Sequence, residues 1–236
     1  MLKSHSKEIA SQFWAAELGA ESFQPGTVIV QEHCPSRIGS LGNRIFCLST
    51  NSALFITAPA ETVAEIRHTL AQTTDSHFNA LIKLFQGRSR IVGDGPAYIG
   101  YRDVSGMSTE EIACIPVQDD RVQALKIAQP DDWDVFGYSP QSRGLFAVQD
   151  KDKVLGLSHY EVWGEAIAHI GVIVNQQARS QGIGRLVVEA AMNAAISEGF
   201  LPQYRTLWSN IPSMKLADKM GFKHFGDSLV IRFGEQ

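Results

Sequence analysis

Apolar positions along the 236-residue chain recur in two rhythms, one helical and one alternating, and the changes between them mark its elements. From Ser4 to Leu18, Ile9, Phe13, Trp14 and Leu18 fall at helical spacing, and Gly19 offers a left-handed stop, which predicts an amphipathic helix. Short β-branched or aromatic runs follow at Thr27 to Gln31, Arg44 to Ser49 and Ala53 to Thr57. The last two flank Thr50-Asn51-Ser52, whose turn chemistry predicts a hairpin. Helical periodicity returns with Val63, Ile66 and Leu70 after Pro59, then with Phe78, Leu81, Ile82 and Phe85 before Gly87. Ala97 to Tyr101 reads as one more strand. The stretch Arg102 to Asp120 then holds Gly106, a Ser-Thr-Glu-Glu run, Pro116 and an Asp pair, so a domain boundary is expected within it. The expected division is a smaller α+β domain over 1–115 and a second domain over 116–236.

In the second half, Arg121 to Ala128 reads as a strand and Asp131 to Tyr138 as a short helical or irregular segment. Gly144 to Gln149 and Val154 to Val162 read as strands joined by the polar turn Asp150-Lys151-Asp152-Lys153, and Ile167 to Val174 as a third. Gln181 to Ser197 places Ile183, Leu186, Val187, Ala190, Ala191, Ala194 and Ile196 at three-to-four spacing and closes at Gly199, a well-marked helix. A strand at Tyr204 to Ser209, a helix from Ser213 to Met220 stopped by Gly221, and a strand at Asp227 to Phe233 complete the chain. The fold class is α/β (α+β): a mixed sheet flanked by helices, preceded by the smaller α+β domain.

A content of 44% hydrophobic and 19% charged residues supports a buried core and excludes a disordered or fibrous chain. Twenty-one Lys and Arg against twenty-five Asp and Glu give a net charge of −4, and the cations are scattered, which argues against a nucleic-acid partner. Apolar runs such as Ile170 to Val174 fall far short of the roughly 20 residues a membrane helix needs, and Lys3, His5, Lys7 and Glu8 replace a signal core. The expectation is a soluble cytoplasmic protein with no membrane partner. Cys34, Cys47 and Cys114 lack a C-x-x-C spacing, so a disulfide framework and a zinc site are not expected, and the three read as reduced, partly buried small hydrophobes.

Candidate chemistry concentrates where Val172-Ile173-Val174 leads through Asn175-Gln176-Gln177-Ala178 into Arg179-Ser180-Gln181-Gly182-Ile183-Gly184-Arg185. A strand feeding a helix through glycines makes an anion site: unpaired amides at the helix N-terminus carry partial positive charge, Gly182 and Gly184 admit a ligand to the backbone, and Arg179 and Arg185 add full charges. An ordinary turn with glycines for packing is the competing reading. Gly93-Asp94-Gly95 resembles a phosphate turn only superficially, because no helix with a Lys-Ser or Lys-Thr start follows it.

The spacing Arg179-x-x-Gly182-x-Gly184 after an apolar strand resembles the acyl-CoA pyrophosphate loop of the GNAT acetyltransferase superfamily. Asn210 to Phe222, running Asn-Ile-Pro-Ser to Met-Gly-Phe, is similar to that family's Asn-to-Gly-Phe helix. The resemblance covers about Arg121 to Phe233 and points to a bacterial-type branch of undefined substrate. It implies that acetyl-CoA is the cofactor, that the strand before the loop splays so that Val172, Ile173 and Val174 flank the pantetheine arm, that Arg179 to Arg185 hold the pyrophosphate, and that Asn210 contacts the cofactor arm. It further implies direct attack by an amine on the thioester.

Two positions depart from the family pattern: Ala217 stands where a Tyr acid is usual, and Ala168 where a Glu or His base is usual. His169 is the leading base candidate, although alternation turns it away from the face of Ala168 unless a bulge intervenes, and a structural histidine is the competing reading. Glu161 and Glu165 are alternates, the latter for its proximity to the splay. His159 and Tyr160 should face opposite sides, one core and the other solvent or cleft. Trp133 among Asp131, Asp132 and Asp134 reads either as a wall for a cationic amine or as a packed Trp, and Trp163 as a cleft residue or a hairpin anchor. The expected function is acetyl transfer to a primary amine of a small-molecule or amino-acid-like acceptor; the alternative is a non-catalytic acyl-CoA-binding or regulatory module. The first domain could serve as a decayed acyltransferase half, a substrate-specifying cap or a surface for a homodimer.

Overall fold

Capping, apolar periodicity and turn chemistry give the elements in the order α1 (Ser4–Leu18), β1 (Thr27–Glu32), β2 (Arg44–Thr50), β3 (Ala53–Ala58), α2 (Ala60–Gln72), α3 (His77–Leu84), β4 (Ser89–Ile91), β5 (Ala97–Tyr101), α4 (Asp120–Ala128), α5 (Pro130–Phe136), β6 (Arg143–Asp150), β7 (Lys153–Trp163), β8 (Ile167–Val174), α6 (Ile183–Ser197), β9 (Leu201–Leu207), α7 (Ile211–Lys219) and β10 (Lys223–Phe233). The computed structural model describes residues 1–20, 26–33, 44–91, 95–103 and 112–233. Cys34, Gly93, Asp94 and much of the expected boundary segment lie outside the described residues. No helix among the described residues is long and apolar enough to cross a membrane.

The stretch from Arg121 to Ala128 corrects the sequence reading: it is a helix, not a strand. The Asp119 carboxylate accepts the Arg121 N–H at 3.0 Å and caps the first turn, while Val122 and Leu125, three apart, share the buried face. Strand β9 begins at Leu201, earlier than expected, because Pro202 takes a place in the ladder opposite Ala168. Three-residue β4 escapes the sequence pattern altogether. Cys47 is buried as expected, and burial pushes its thiol pKa far up; Cys114 is exposed, contrary to expectation, because it sits in a lone bridge to Phe146.

Contacts divide the chain into two compact units, each discontinuous in sequence, where the expected division was a single cut at 115/116. One comprises 7–100, 205–214 and 224–236, the other 1–6, 101–204 and 215–223. The closing strand accounts for the difference: β10 pairs antiparallel with β2 from Gly226↔Thr50 to Arg232↔Arg44, so it joins the unit that holds the first hairpin.

In the unit holding residues 7–100, β1 pairs parallel with β3, β3 antiparallel with β2, and β2 with β10. Ile45, Cys47, Ile56, Leu229 and Ile231 turn one face to Val63 and Ile66 of α2 and Leu81 of α3. On the other face Trp14 of α1 stacks on Phe46 at 5.8 Å.

In the unit holding residues 101–204, β6, β7 and β8 are antiparallel neighbours and β9 joins β8 in parallel, which makes a mixed sheet. Leu157 and Ile173 pack with Val122, Leu125, Trp133 and Phe136, so α4 and α5 cover one face. Gly156 points to the other face, where α6 packs: a Cβ there would lie 2.6 Å from Ile183.

Candidate active site

Strand β8 is paired along its whole length with β7, from Trp163↔Ile167 to Gly156↔Val174, but with β9 only at Ile167↔Leu201, Ala168↔Pro202 and His169↔Gln203. Beyond His169 the two parallel strands part. Asn175 donates its N–H to Leu155 O at 2.9 Å, which sets the alternation of the β7–β8 ladder. By that alternation Ile170, Val172 and Val174 direct their backbone groups away from β7, to the side where β9 has left. The Ile173 side chain is buried in the core between sheet and helices.

The chain leaves β8 through a single 3₁₀ turn, Gln176–Ala178, and curls into α6. Ser180 (φ 64) and Gly182 (φ 83) both adopt left-handed backbone, and Gly182 is the N-cap of α6. The first internal bonds of the helix come from Arg185 and Leu186 to Gly182 O (3.0 and 3.3 Å), so the N–H groups of Ile183 and Gly184 precede its ladder. A Cβ on Gly182 would meet nothing within 4 Å, so the loop backbone is open on that side. Open amides, a left-handed curl and a helix N-terminus suit a diphosphate, and the parted strands suit the amides of a pantetheine arm. These residues fit acetyl-CoA.

The charged groups of the loop are unequal. Arg179 donates from Nη2 to Asp132 Oδ2 at 2.7 Å and so fastens the loop to α5, whereas Arg185 approaches Glu189 only to 3.7 Å. Gln129, which no motif signalled, is buried at the end of α4. Its Oε1 accepts from Gln176 N at 2.9 Å, and its Nε2 donates to Asp132 Oδ2 at 2.7 Å and Val174 O at 3.4 Å. Gln181 donates to Gln177 O at 3.1 Å within the loop. The Asn210 side chain accepts from Ser213 N at 3.2 Å and thereby caps α7.

The ladder through His169 has no bulge, so His169 shares its face with Gly171 and Ile173 and lies opposite Ala168, which is fully buried. This is the face that α5 covers. Trp163 stacks on the imidazole (4.2 Å between centroids, 21° between planes) and donates Nε1–H to Glu161 Oε2 at 3.0 Å. Glu161, the cross-strand partner of His169, also accepts from Ser139 Oγ at 2.9 Å. Glu165 is exposed in the turn joining β7 to β8, at left-handed φ 65. That is the end where β8 is still paired with β9, which corrects the expectation that Glu165 adjoins the splay.

His159 and Tyr160 are both buried, where one was expected in solvent or cleft, because helices cover both faces of the sheet. Burial holds the His159 pKa below its ordinary value, against the pull of its hydrogen bond to Phe136 O. Tyr160 donates to Glu198, which Arg143 also pairs at 2.6 Å; burial and that carboxylate push the phenol well up. Trp133 is a core residue, packed on Phe136 and covered by the Lys126 ammonium 5.6 Å from its ring. A surface cavity of about 380 Å³ between Arg185, Glu189, Lys219 and Arg102 does not include His169, Glu161 or Gln203.

Residues 111–222 match the profile of the Acetyltransferase (GNAT) family. A GCN5-related N-acetyltransferase-like protein from Streptococcus suis 89/1591 has the same fold, with a TM-score of 0.51 at 11% identity over 81% of this chain and 84% of its own. That share exceeds residues 111–222, so the likeness in fold extends into the first half. An acetyltransferase of the GNAT family from Colwellia psychrerythraea aligns over 75% of both chains at 17% identity and a TM-score of 0.49. An aminoglycoside N-acetyltransferase, AAC(6')-Iy, in complex with CoA aligns over 48% of this chain and 91% of its own at 14% identity and a TM-score of 0.38. No curated protein sequence matches the chain. The acyl donor of the family is acetyl-CoA. Over residues 111–222, then, the chain carries an acetyltransferase domain of the GNAT family.

Proposed function

We propose that this protein transfers an acetyl group from acetyl-CoA to the primary amine of a small, amino-acid-like molecule, with His169 taking up the proton of the amine. One observation carries the reading: β8 and β9 part directly after the pair His169↔Gln203, so the imidazole stands where the opened strands begin. Acetyl-CoA supplies an activated acyl carbon. The amides of Ser180, Gln181, Gly182, Ile183 and Gly184, with Arg185, hold its diphosphate, and the backbone of Val172 and Val174 lines its arm. Arg179 and Gln129 keep the loop in shape through Asp132.

An amine attacks only when its lone pair is free, so the acceptor must lose a proton, and a neutral imidazole is a suitable base. Glu161 and the Trp163 ring, on the same face, attract the acceptor while it is still cationic. Buried Ala168 and Ala217 occupy the positions where the family usually carries ionisable groups, and this favours a second reading, a non-catalytic acyl-CoA-binding or regulatory module.

Calorimetry with acetyl-CoA followed by thiol release over a panel of amines separates the two. The expected outcome is binding with turnover on some amines, and a fall of about a hundredfold in turnover for His169→Gln at unchanged acetyl-CoA affinity. Binding without thiol release across the panel supports the second reading. Wild-type turnover in His169→Gln removes the base assignment.

A further inference from the structure

We infer that the cavity beside the first turn of α6 takes the ribose 3′-phosphate of the same acetyl-CoA whose diphosphate lies on the loop; the inference rests on acetyl-CoA being seated there as proposed above. The chain as a whole is acidic, with a net charge of −4, yet Arg102, Arg185, Lys219 and Lys223 line this one cavity of about 380 Å³ against only two carboxylates, Asp103 and Glu189. All six belong to the unit that holds 101–204 and 215–223. Asp103 is already occupied, its two oxygens accepting from Lys3 N at 3.1 and 3.0 Å. Glu189 stands 3.7 Å from Arg185 Nε, and among the described residues no carboxylate pairs with Lys219 or Lys223. Arg102 donates from Nη1 to the Met192 sulfur at 3.1 Å, a weak acceptor that leaves its charge uncompensated.

Position ties the cavity to the cofactor. Arg185 directly follows Gly184, so the cavity opens one residue beyond the last open amide of the loop. Besides its diphosphate, acetyl-CoA carries a phosphomonoester on the adjoining ribose, a group with a charge of about −1.5 to −2 at pH 7. An excess of two cations matches that charge, and the volume, at the lower end of the roughly 300–1,000 Å³ of ligand cavities, admits the sugar with its phosphate. A helix C-terminus repels anions through its open carbonyls. At the end of α7, however, Met220, Gly221 and Phe222 donate to Leu216, Asp218 and Ala217 O at 2.9, 2.9 and 3.0 Å, and so occupy three of them. Left-handed Gly221 (φ 78) turns the chain between Lys219 and Lys223, and Arg102 lies against the same turn, its Nε 3.9 Å from where a Cβ of Gly221 would be. A phosphate on a separate acceptor has the same chemistry, but only the cofactor's is tethered to a group already seated next to Arg185.

The test needs no acceptor and no turnover. Calorimetry on the intact protein compares coenzyme A with 3′-dephospho-coenzyme A, which lacks only that phosphate. The wild type should bind coenzyme A about tenfold or more the tighter, and the difference should shrink as salt rises. Lys219 and Lys223 are exposed, so Lys219→Ala and Lys223→Ala together should leave the fold intact, remove most of the preference and leave the affinity for the dephospho form nearly unchanged. Lys219→Arg, which keeps the charge, should keep the preference. Equal affinity of the wild type for the two ligands overturns this inference alone and leaves the cavity to a phosphate on another molecule. A double variant that weakens both ligands by the same factor also overturns it, because the lysines would then act only as a distant field. Binding of neither ligand by the wild type overturns it together with the seating of the cofactor on the loop.

Discussion

His159 and His224 show how single residues can set opposite dependences on pH. His159 lies under α5 with Nε2 3.0 Å from Phe136 O, and burial lowers its pKa. The unfolded chain therefore binds a proton more readily at this site. The contribution of His159 to stability is full above the ordinary histidine value and is lost as pH falls from there through the native value. His224 has its Nε2 2.9 Å from Asp227 Oδ1, and that hydrogen bond raises its pKa. Its contribution is full below the ordinary value and is lost as pH rises through the native one. Urea midpoints between about pH 5 and 8 should therefore lose their acid-side slope in His159→Gln and their alkaline-side slope in His224→Gln. Equal slopes in wild type and both variants would refute the assignment. Residues of this kind differ in how far the sequence exposes them. The loop glycines declare themselves by spacing, whereas Gln129 and Gln203 belong to no pattern, since a buried amide is defined by partners 45, 47, 34 and 102 residues away.

At the scale of an element, the turn into α6 joins backbone geometry to binding. Gly182 is left-handed, and a Cβ there meets no neighbour, so Gly182→Ala acts through φ alone. It should cost about 1–2 kcal/mol and weaken acetyl-CoA binding as the loop relaxes. Gly184 is within the helix, with space for a Cβ at 3.4 Å from Leu216 and Val174, so Gly184→Ala should keep stability within about 0.5 kcal/mol and leave binding intact. Calorimetry on both variants checks the contrast, and equal losses would mean that φ is not the controlling feature. The two arginines should separate as well. Arg179 is already paired with Asp132, so Arg185→Ala should weaken acetyl-CoA binding and flatten its salt dependence more than Arg179→Ala does. The reverse order would assign the phosphate contact to Arg179. Most elements were legible because each carries its own pattern, the three-to-four spacing in α6 and an apolar run in β8. Helix α4 was not, because Val122 and Ala124 alternate with polar Arg121 and Gln123 at its start and the Asp119 cap that decides the matter is a single side chain.

The whole molecule adds what no local pattern holds, namely which distant strands pair. Alternation identifies Asp227 to Phe233 as a strand, but its partner is set by packing, and sequence position alone groups it with its nearest neighbours in the chain. Instead β10 pairs with β2 over seven residue pairs, and Leu229 and Ile231 enter the same core as Ile45, Cys47 and Ile56. A fragment covering residues 116–236 therefore ends in a strand whose ladder partner and apolar cover are missing. Unpaired, Leu229 and Ile231 would face water together with a row of open backbone groups, an arrangement that favours association over folding. The fragment should show no protection from hydrogen exchange in Lys223–Phe233, and it should aggregate or melt well below the full chain. Adding a second fragment, residues 1–115, should restore protection along β10, because it returns β2. If the fragment 116–236 alone melts at the temperature of the full chain with β10 protected, then the C-terminal half is an independent domain and the pairing with β2 is dispensable to its fold.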